Sequence, residues 1–201
     1  SVVNAGTYEI YYRVSRANYN AFECFEPVTL TITKKDVMAR INPVTLTYGD
    51  TFPTTFTLSY SGFVNADDAS VFDGNVIFYP EINDTKTVGE FTVSGDTSAV
   101  SADNYNLFVV DGRIKVQKKV LIVTANNTTT EYGSPAPELT LSYNGFVAGE
   151  TLENLDTIPS ATCNYVAGTS ATGKYDIIVG GGASANYEFV YKKGTLTVTK
   201  K

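Results

Sequence analysis

The chain has 201 residues, 43% of them hydrophobic and 18% charged, which is enough apolar material for packed cores and too much for disorder. Its net charge of −6 and pI of about 4.7 exclude a surface that gathers nucleic acid or anionic lipid. It contains no histidine, which excludes His-based triads, most zinc sites and the commonest general base.

From the N-terminus, "YEIYYRV" alternates Tyr8, Ile10, Tyr12 and Val14 against Glu9, Tyr11 and Arg13. "VTLTITKK" then sets Val28, Leu30 and Ile32 against Thr29, Thr31 and Thr33. A period of two predicts half-buried antiparallel strands, apolar inward and threonine outward, where the β-branch fits the pleat and the hydroxyl keeps water. Next come "TYGD" (Thr47 to Asp50), "TLSYSGFV" (Thr57 to Val64) and "NADDASVF" (Asn65 to Phe72), the last predicted to form a short helical turn. "VGEFTV" and "DNYNLFVVDGRIKVQKK" follow, with Asp111-Gly112 between two alternating runs, a signal for a hairpin.

The rest of the chain writes these elements again. "EYGS" (Glu131 to Ser134), "SYNGFV" (Ser142 to Val147), "AGETLENL" (Ala148 to Leu155), "TGKYDI" and "ANYEFVYKKGTLTVTKK" appear in the same order, with a second predicted hairpin at Lys193-Gly194. Tyr48 and Tyr132 are 84 positions apart, Ser59 and Ser142 are 83, and Tyr105 and Tyr187 are 82, so one register with two single-residue slips covers all of it. Fixed-period similarity signals an array of folded units. The opening "AGTYEIYYRVSRANYN" carries only the late elements: Gly6, like Gly89 and Gly173, stands two before an aromatic, and Asn18-Tyr19 matches the later Asn-Tyr pairs. The organisation expected is therefore residues 1–35 as the C-terminal strands of a truncated β module, then complete modules at 36–119 and 120–201. The fold expected is all-β, as tandem small antiparallel β-sandwich modules of the immunoglobulin-like class, with β-grasp-like modules as the alternative.

Within the repeated hexapeptide, Leu58 and Tyr60 point inward before Gly62 interrupts the alternation. Glycine inside a strand pattern marks a bulge or a close backbone approach. A bend at Gly62 and Gly145 would drop Phe63 and Phe146 into the core, each worth about 1.5–3 kcal/mol of burial. Tyr8 and Tyr175 could serve as corner tyrosines bonded back to the main chain, but their counterpart Phe91 has no hydroxyl, so plain core aromatics are expected.

The ordered set "YG", "SYxGFV", Gly-x-aromatic, "NY", then a glycine and a Thr-rich strand ending in lysine resembles the bacterial extracellular MBG repeat of the YGX type, in two copies over Asp36 to Lys201. The opening segment is similar to the end of a bacterial immunoglobulin-like repeat. The resemblance implies a secreted or surface-anchored bacterial protein of adhesin type, with these units arrayed along a stalk. It supplies no catalytic residue to carry over.

Asp67-Asp68 in one copy corresponds to Gly149-Glu150 in the other, so no carboxylate pair recurs, and no enzymatic activity or cofactor is expected. "NADDAS" and "PEINDT" supply oxygens without the spacing of an EF-hand, and read as solvated turns rather than calcium sites. Gly180 to Gly182 form a loop and not a phosphate cradle, because no helix follows. Cys24 and Cys163 fall in different modules; unpaired thiols are expected, with an intermolecular bridge as the alternative. Tyr11, Tyr79, Tyr165 and Tyr191 fall at outward or uncertain positions and could stack on sugar rings.

Joints of almost no length, as at Lys119-Val120, predict a semi-rigid rod lengthened by roughly 30 Å per unit. Two functions follow: a non-catalytic spacer on the bacterial cell surface or in a secreted adhesin, or a module that binds carbohydrate or host protein. Neither nucleic acid nor membrane insertion is expected, and a neighbouring chain could cover the open sheet edge of the N-terminal module.

Overall fold

The computed structural model describes residues 4–23 and 26–201. The N-terminal part forms β1 (Gly6–Ile10), β2 (Arg13–Val14), β3 (Phe22–Glu23) and β4 (Val28–Ile32). The first repeat forms β5 (Lys35–Ile41), β6 (Val44–Thr47), β7 (Leu58–Ser61), β8 (Ile77–Pro80), β9 (Gly89–Asp96), β10 (Tyr105–Val110) and β11 (Gly112–Gln117). The second forms β12 (Lys119–Ala125), β13 (Thr128–Glu131), β14 (Leu141–Asn144), β15 (Ser160–Cys163), β16 (Gly173–Gly180), β17 (Tyr187–Lys192) and β18 (Gly194–Thr199). Among the described residues helix is limited to two three-residue 3-10 turns, Ala69–Val71 and Leu152–Asn154, inside the two segments predicted to turn. No helix there is long and apolar enough to cross a membrane.

The all-β class and the small sheets in repeated modules match the expectation, and the predicted alternation places the core. In β12 the side chains of Leu121, Val123 and Ala125 are buried, and in β18 those of Leu196 and Val198, with the threonines between them more exposed. The second repeat holds two sheets, in the orders β14-β12-β17 and β13-β18-β16-β15. Leu121, Val123 and Tyr187 of the first sheet share one buried cluster with Ile177, Val179, Leu196 and Val198 of the second. Facing layers around one core are what a β-sandwich requires.

The strand directions correct the purely antiparallel expectation. β12 pairs antiparallel with β14 but parallel with β17, and β18 pairs antiparallel with β16 but parallel with β13. The first repeat has the same pairs: β10 parallel to β5, β7 antiparallel to β5, β11 parallel to β6, and β8 antiparallel to β9. The sheets are mixed because period-two alternation reports which face a residue occupies, not which way the neighbouring strand runs.

The hairpins expected at Asp111-Gly112 and Lys193-Gly194 are also corrected. β17 runs beside β12 from Lys119↔Tyr187 to Thr124↔Lys192, and β18 runs beside β13 from Thr128↔Leu196 to Glu131↔Thr199, in an unbroken register. The chain continues forward through Lys193-Gly194 and passes from one sheet to the other, alongside a partner segment that does the same. Glycine is needed there for contact: a Cβ on Gly194 would lie 2.5 Å from the Ala125 carbonyl oxygen, and one on Gly112 would lie 2.6 Å from Ile41 Cγ2. Neither glycine is among those with positive φ, the conformation that a two-residue hairpin of type I′ demands.

Two compact units follow from the contacts. One holds Val44–Pro53, Ile82–Phe91 and Ile114–Lys201, so it draws two stretches of the first repeat, with the end of β11, into the unit built around the second. The other holds the rest of the described chain. There β1 and β4 pair as a two-stranded sheet, and Ile10, Val28 and Leu30, expected to face a core, are exposed on it. Two strands alone present one layer and cannot cover their own apolar face.

Tyr8 and Tyr175 are corner tyrosines after all: the Tyr8 hydroxyl donates to the Asn4 carbonyl at 2.9 Å and the Tyr175 hydroxyl to the Ala171 carbonyl at 2.8 Å. Each ring is half-buried, and the phenol takes the nearest main-chain acceptor rather than stay unpaired.

Gly194→Ala is expected to lower stability by about 1–3 kcal/mol through overpacking against Ala125, measured as the denaturant midpoint. Gly180→Ala, at a site where a Cβ meets nothing within 4 Å, should change it little. Equal effects at both positions would contradict the close crossing.

Candidate functional site

The repeated "SYxGFV" and "NY" elements meet in space. β7 and β14 end one residue before Gly62 and Gly145, whose φ values are 108° and 121°. These glycines press on the strand beside them, since a Cβ would lie 2.7 Å from the Asp36 carbonyl oxygen in the first repeat and 2.5 Å from that of Val120 in the second. The bend turns Phe63 and Phe146 inward, half-buried, as expected. Each ring meets the edge or face of the Asn-Tyr tyrosine, with centroids 5.4 Å apart for Phe63–Tyr105 and for Phe146–Tyr187.

Tyr105 and Tyr187 are buried, at 4% and 2% exposure, and their hydroxyls do two things. Each accepts the amide of the valine that follows the phenylalanine: Val64 N at 3.3 Å and Val147 N at 2.9 Å. Each also donates to a carboxylate three residues beyond that valine, Tyr105 to Asp67 at 2.5 Å and Tyr187 to Glu150. A recurring carboxylate therefore exists, as a single acid, Asp67 or Glu150, rather than the adjacent pair that does not recur in the sequence. The signal was the single acid at a constant distance from Gly-Phe-Val.

In the second repeat the arrangement gains a third member. Tyr48 of the first repeat's "TYGD", 6% exposed, donates its hydroxyl to Oε1 of Glu150 while Tyr187 donates to Oε2. The two rings meet edge to face at 5.5 Å. The Gly49 main chain lies flat on Val147, where a Cβ would come within 2.3 Å of Cγ2. A groove of about 630 Å3 runs beside this contact, lined by Phe52, Asp84, Lys86 and Ala148 among others. Burial first, and then the Glu150 carboxylate, push the Tyr187 phenol up to about 12, and the same two causes raise Tyr48. Tyr105 is raised chiefly by its bond to Asp67. The phenols are neutral donors at ordinary pH, and both oxygens of Glu150 are engaged by them. This chemistry holds two segments together and offers no activated nucleophile.

The other singled-out residues divide. Tyr11 and Tyr79 are exposed, as the stacking expectation requires. Tyr165 is not: it is 7% exposed, donates to the Ser134 carbonyl at 2.8 Å and packs against Tyr175. It lies past the end of β15, where alternation no longer reports facing. Tyr191 is partly exposed, but one face lies on Phe189 with the rings 10° from parallel, and its hydroxyl accepts the Gly182 amide. The Asp loops serve local turns: Asp68 caps the first 3-10 turn by accepting Ser70 N, and Asp84 accepts Lys86 N. Among the described residues no three acidic or cysteine side chains gather as a metal site requires. Cys163 is free and half-buried, and Cys24 lies outside the described residues.

Residues 37–115 and 121–197, more than half of the chain, each match the family model described as the MBG domain (YGX type). No curated relative matches the chain.

Tyr187→Phe keeps the ring contacts but leaves the Val147 amide and one Glu150 oxygen unpaired, and should cost about 1–3 kcal/mol in a denaturant titration. The wild-type phenol is held above its ordinary 10.0, so its protonated form favours the fold. That contribution is complete below pH 10 and is lost as pH rises through about 12. Stability measured by circular dichroism should fall across this window in the wild type and more shallowly in Tyr187→Phe; parallel profiles would contradict the assignment.

Proposed function

Because the chain belongs to the MBG domain (YGX type) family, repeat modules of bacterial surface and adhesin-like proteins that are not known as catalysts, we propose that it is a non-catalytic spacer segment of a secreted or cell-surface adhesin-like protein. The observation that carries this reading is the joint between the repeats. Tyr48 and Gly49 of one repeat are seated on Glu150 and Val147 of the next. Only Lys118 separates β11 from β12, and its Nζ donates to the Ser184 carbonyl at 2.7 Å. A one-residue connection reinforced by a buried side chain resists bending, which is what a module that holds a distal head at a distance must do. The acidic, histidine-free composition fits a part whose contribution is shape.

A second reading, binding of carbohydrate or host protein, is favoured by a groove of about 520 Å3 in the first repeat, lined by Phe56, Leu58, Tyr60, Phe72, Phe78 and Leu107. Aromatic walls of this kind stack on the apolar faces of sugars.

Small-angle scattering should give an extended profile for the spacer, with each repeat adding roughly 30 Å. A compact globular profile would count against it. A glycan array decides the second reading: a signal abolished by Phe78→Ala in a protein that keeps its circular dichroism supports it, and no signal removes it.

A further inference from the structure

The chain contains two Tyr-Gly turns of the same shape in different surroundings. Gly49 and Gly133 have φ of 83° and 85°. The amide of the preceding tyrosine bonds to the last strand of its own repeat in both, Tyr48 N to Gln117 O at 2.8 Å and Tyr132 N to Thr199 O at 2.9 Å. The carbonyl that follows the glycine is tied by a buried hydroxyl in both, Asp50 O by Thr85 Oγ1 at 2.6 Å and Ser134 O by Tyr165 at 2.8 Å. Each turn is thus held in place by its own repeat.

What differs is what lies opposite. Tyr48 is 6% exposed and bonded to Glu150, whereas Tyr132 is 44% exposed. A Cβ on Gly49 would collide with Val147, whereas one on Gly133 would meet nothing within 4 Å. The first turn is docked, and the second presents the same surface to solvent.

We propose that the Tyr132-Gly133 turn is a docking surface for a following repeat of this family. The partner is defined by the chemistry that receives Tyr48: a Gly-Phe-Val loop whose valine lies flat on the glycine, a carboxylate three residues beyond it to accept the phenol, and a buried tyrosine that shares that carboxylate. The first repeat carries the same receiving set in Val64, Asp67 and Tyr105, beside a cleft of about 170 Å3 lined also by Asn104 and Ile32. A receiver and a presented turn on each repeat make the joint propagate without new parts. This deepens the spacer reading and rests on it.

The test compares the 201-residue chain with the same chain extended directly after Lys201 by a second copy of residues 120–201, the register in which Val120 follows Lys119, with Tyr132→Phe in the appended copy so that only the original Tyr132 is read. Both are treated with tetranitromethane and the nitrated tyrosines are mapped by mass spectrometry. Tyr48 should be protected in both proteins, and Tyr132 should lose reactivity roughly tenfold only in the extended one. Glu150→Gln in the appended copy should restore part of that reactivity while the circular dichroism is unchanged. Equal nitration of Tyr132 in both proteins, with Tyr48 protected, would overturn the proposal. So would protection of Tyr132 in the unextended chain that grows with concentration, since that assigns the surface to a second chain. Scattering on the extended protein separates the two readings: added length with a reactive Tyr132 sinks the docking surface and leaves the spacer standing.

Discussion

The structure depends on a tyrosine that is buried whole and still has to place its hydroxyl. Tyr187 sits in the core of the second repeat, where an unpaired phenol would cost as much as a lost hydrogen bond. It solves this by accepting the Val147 amide and donating to Glu150. The loop after "SYNGFV" must therefore fold back over the ring, which is why Gly145 takes a positive φ and lies against the Val120 carbonyl. Phe146, turned inward by the same bend, then packs on the Tyr187 ring. The first repeat satisfies the same constraint with Tyr105, Val64 and Asp67.

The carboxylate has two oxygens, and the core tyrosine uses only one. In the second repeat the other is taken by Tyr48, so the device that completes a repeat internally also receives its neighbour. Compact units drawn from the contacts accordingly do not end where the sequence repeats end, and residues 44–53 and 82–91 join the unit of the second repeat. An association built this way needs no dedicated linker.

The sheets obey a second constraint, that two neighbouring segments change sheets together. Parallel pairing of β12 with β17 and of β13 with β18 in one register brings the main chains into contact at Ala125 and Gly194. No side chain fits between them. The two glycines that read as hairpin turns are spacing residues at a crossing, and the alternation on either side of them continues into different sheets.

Much of this was already present in the order of residues. The repeat register, the inward faces at Leu196 and Val198, the two short turns and the inward Phe63 and Phe146 all follow from local periodicity and local backbone freedom, which each residue carries wherever it is placed. Strand direction did not follow, because parallel and antiparallel neighbours demand the same alternation. Tyr165 was misplaced because it stands in a loop, where no period applies. The shared role of Asp67 and Glu150 stayed hidden until the tyrosine that binds them, some 40 residues away, was brought to their side. Tyr48 and Tyr132 make the division plain: the sequence determined that both would sit at the tip of the same glycine turn, and only tertiary structure decided that one is buried and the other exposed. Burial is a property of what lies opposite, and opposite Tyr48 lies the next repeat.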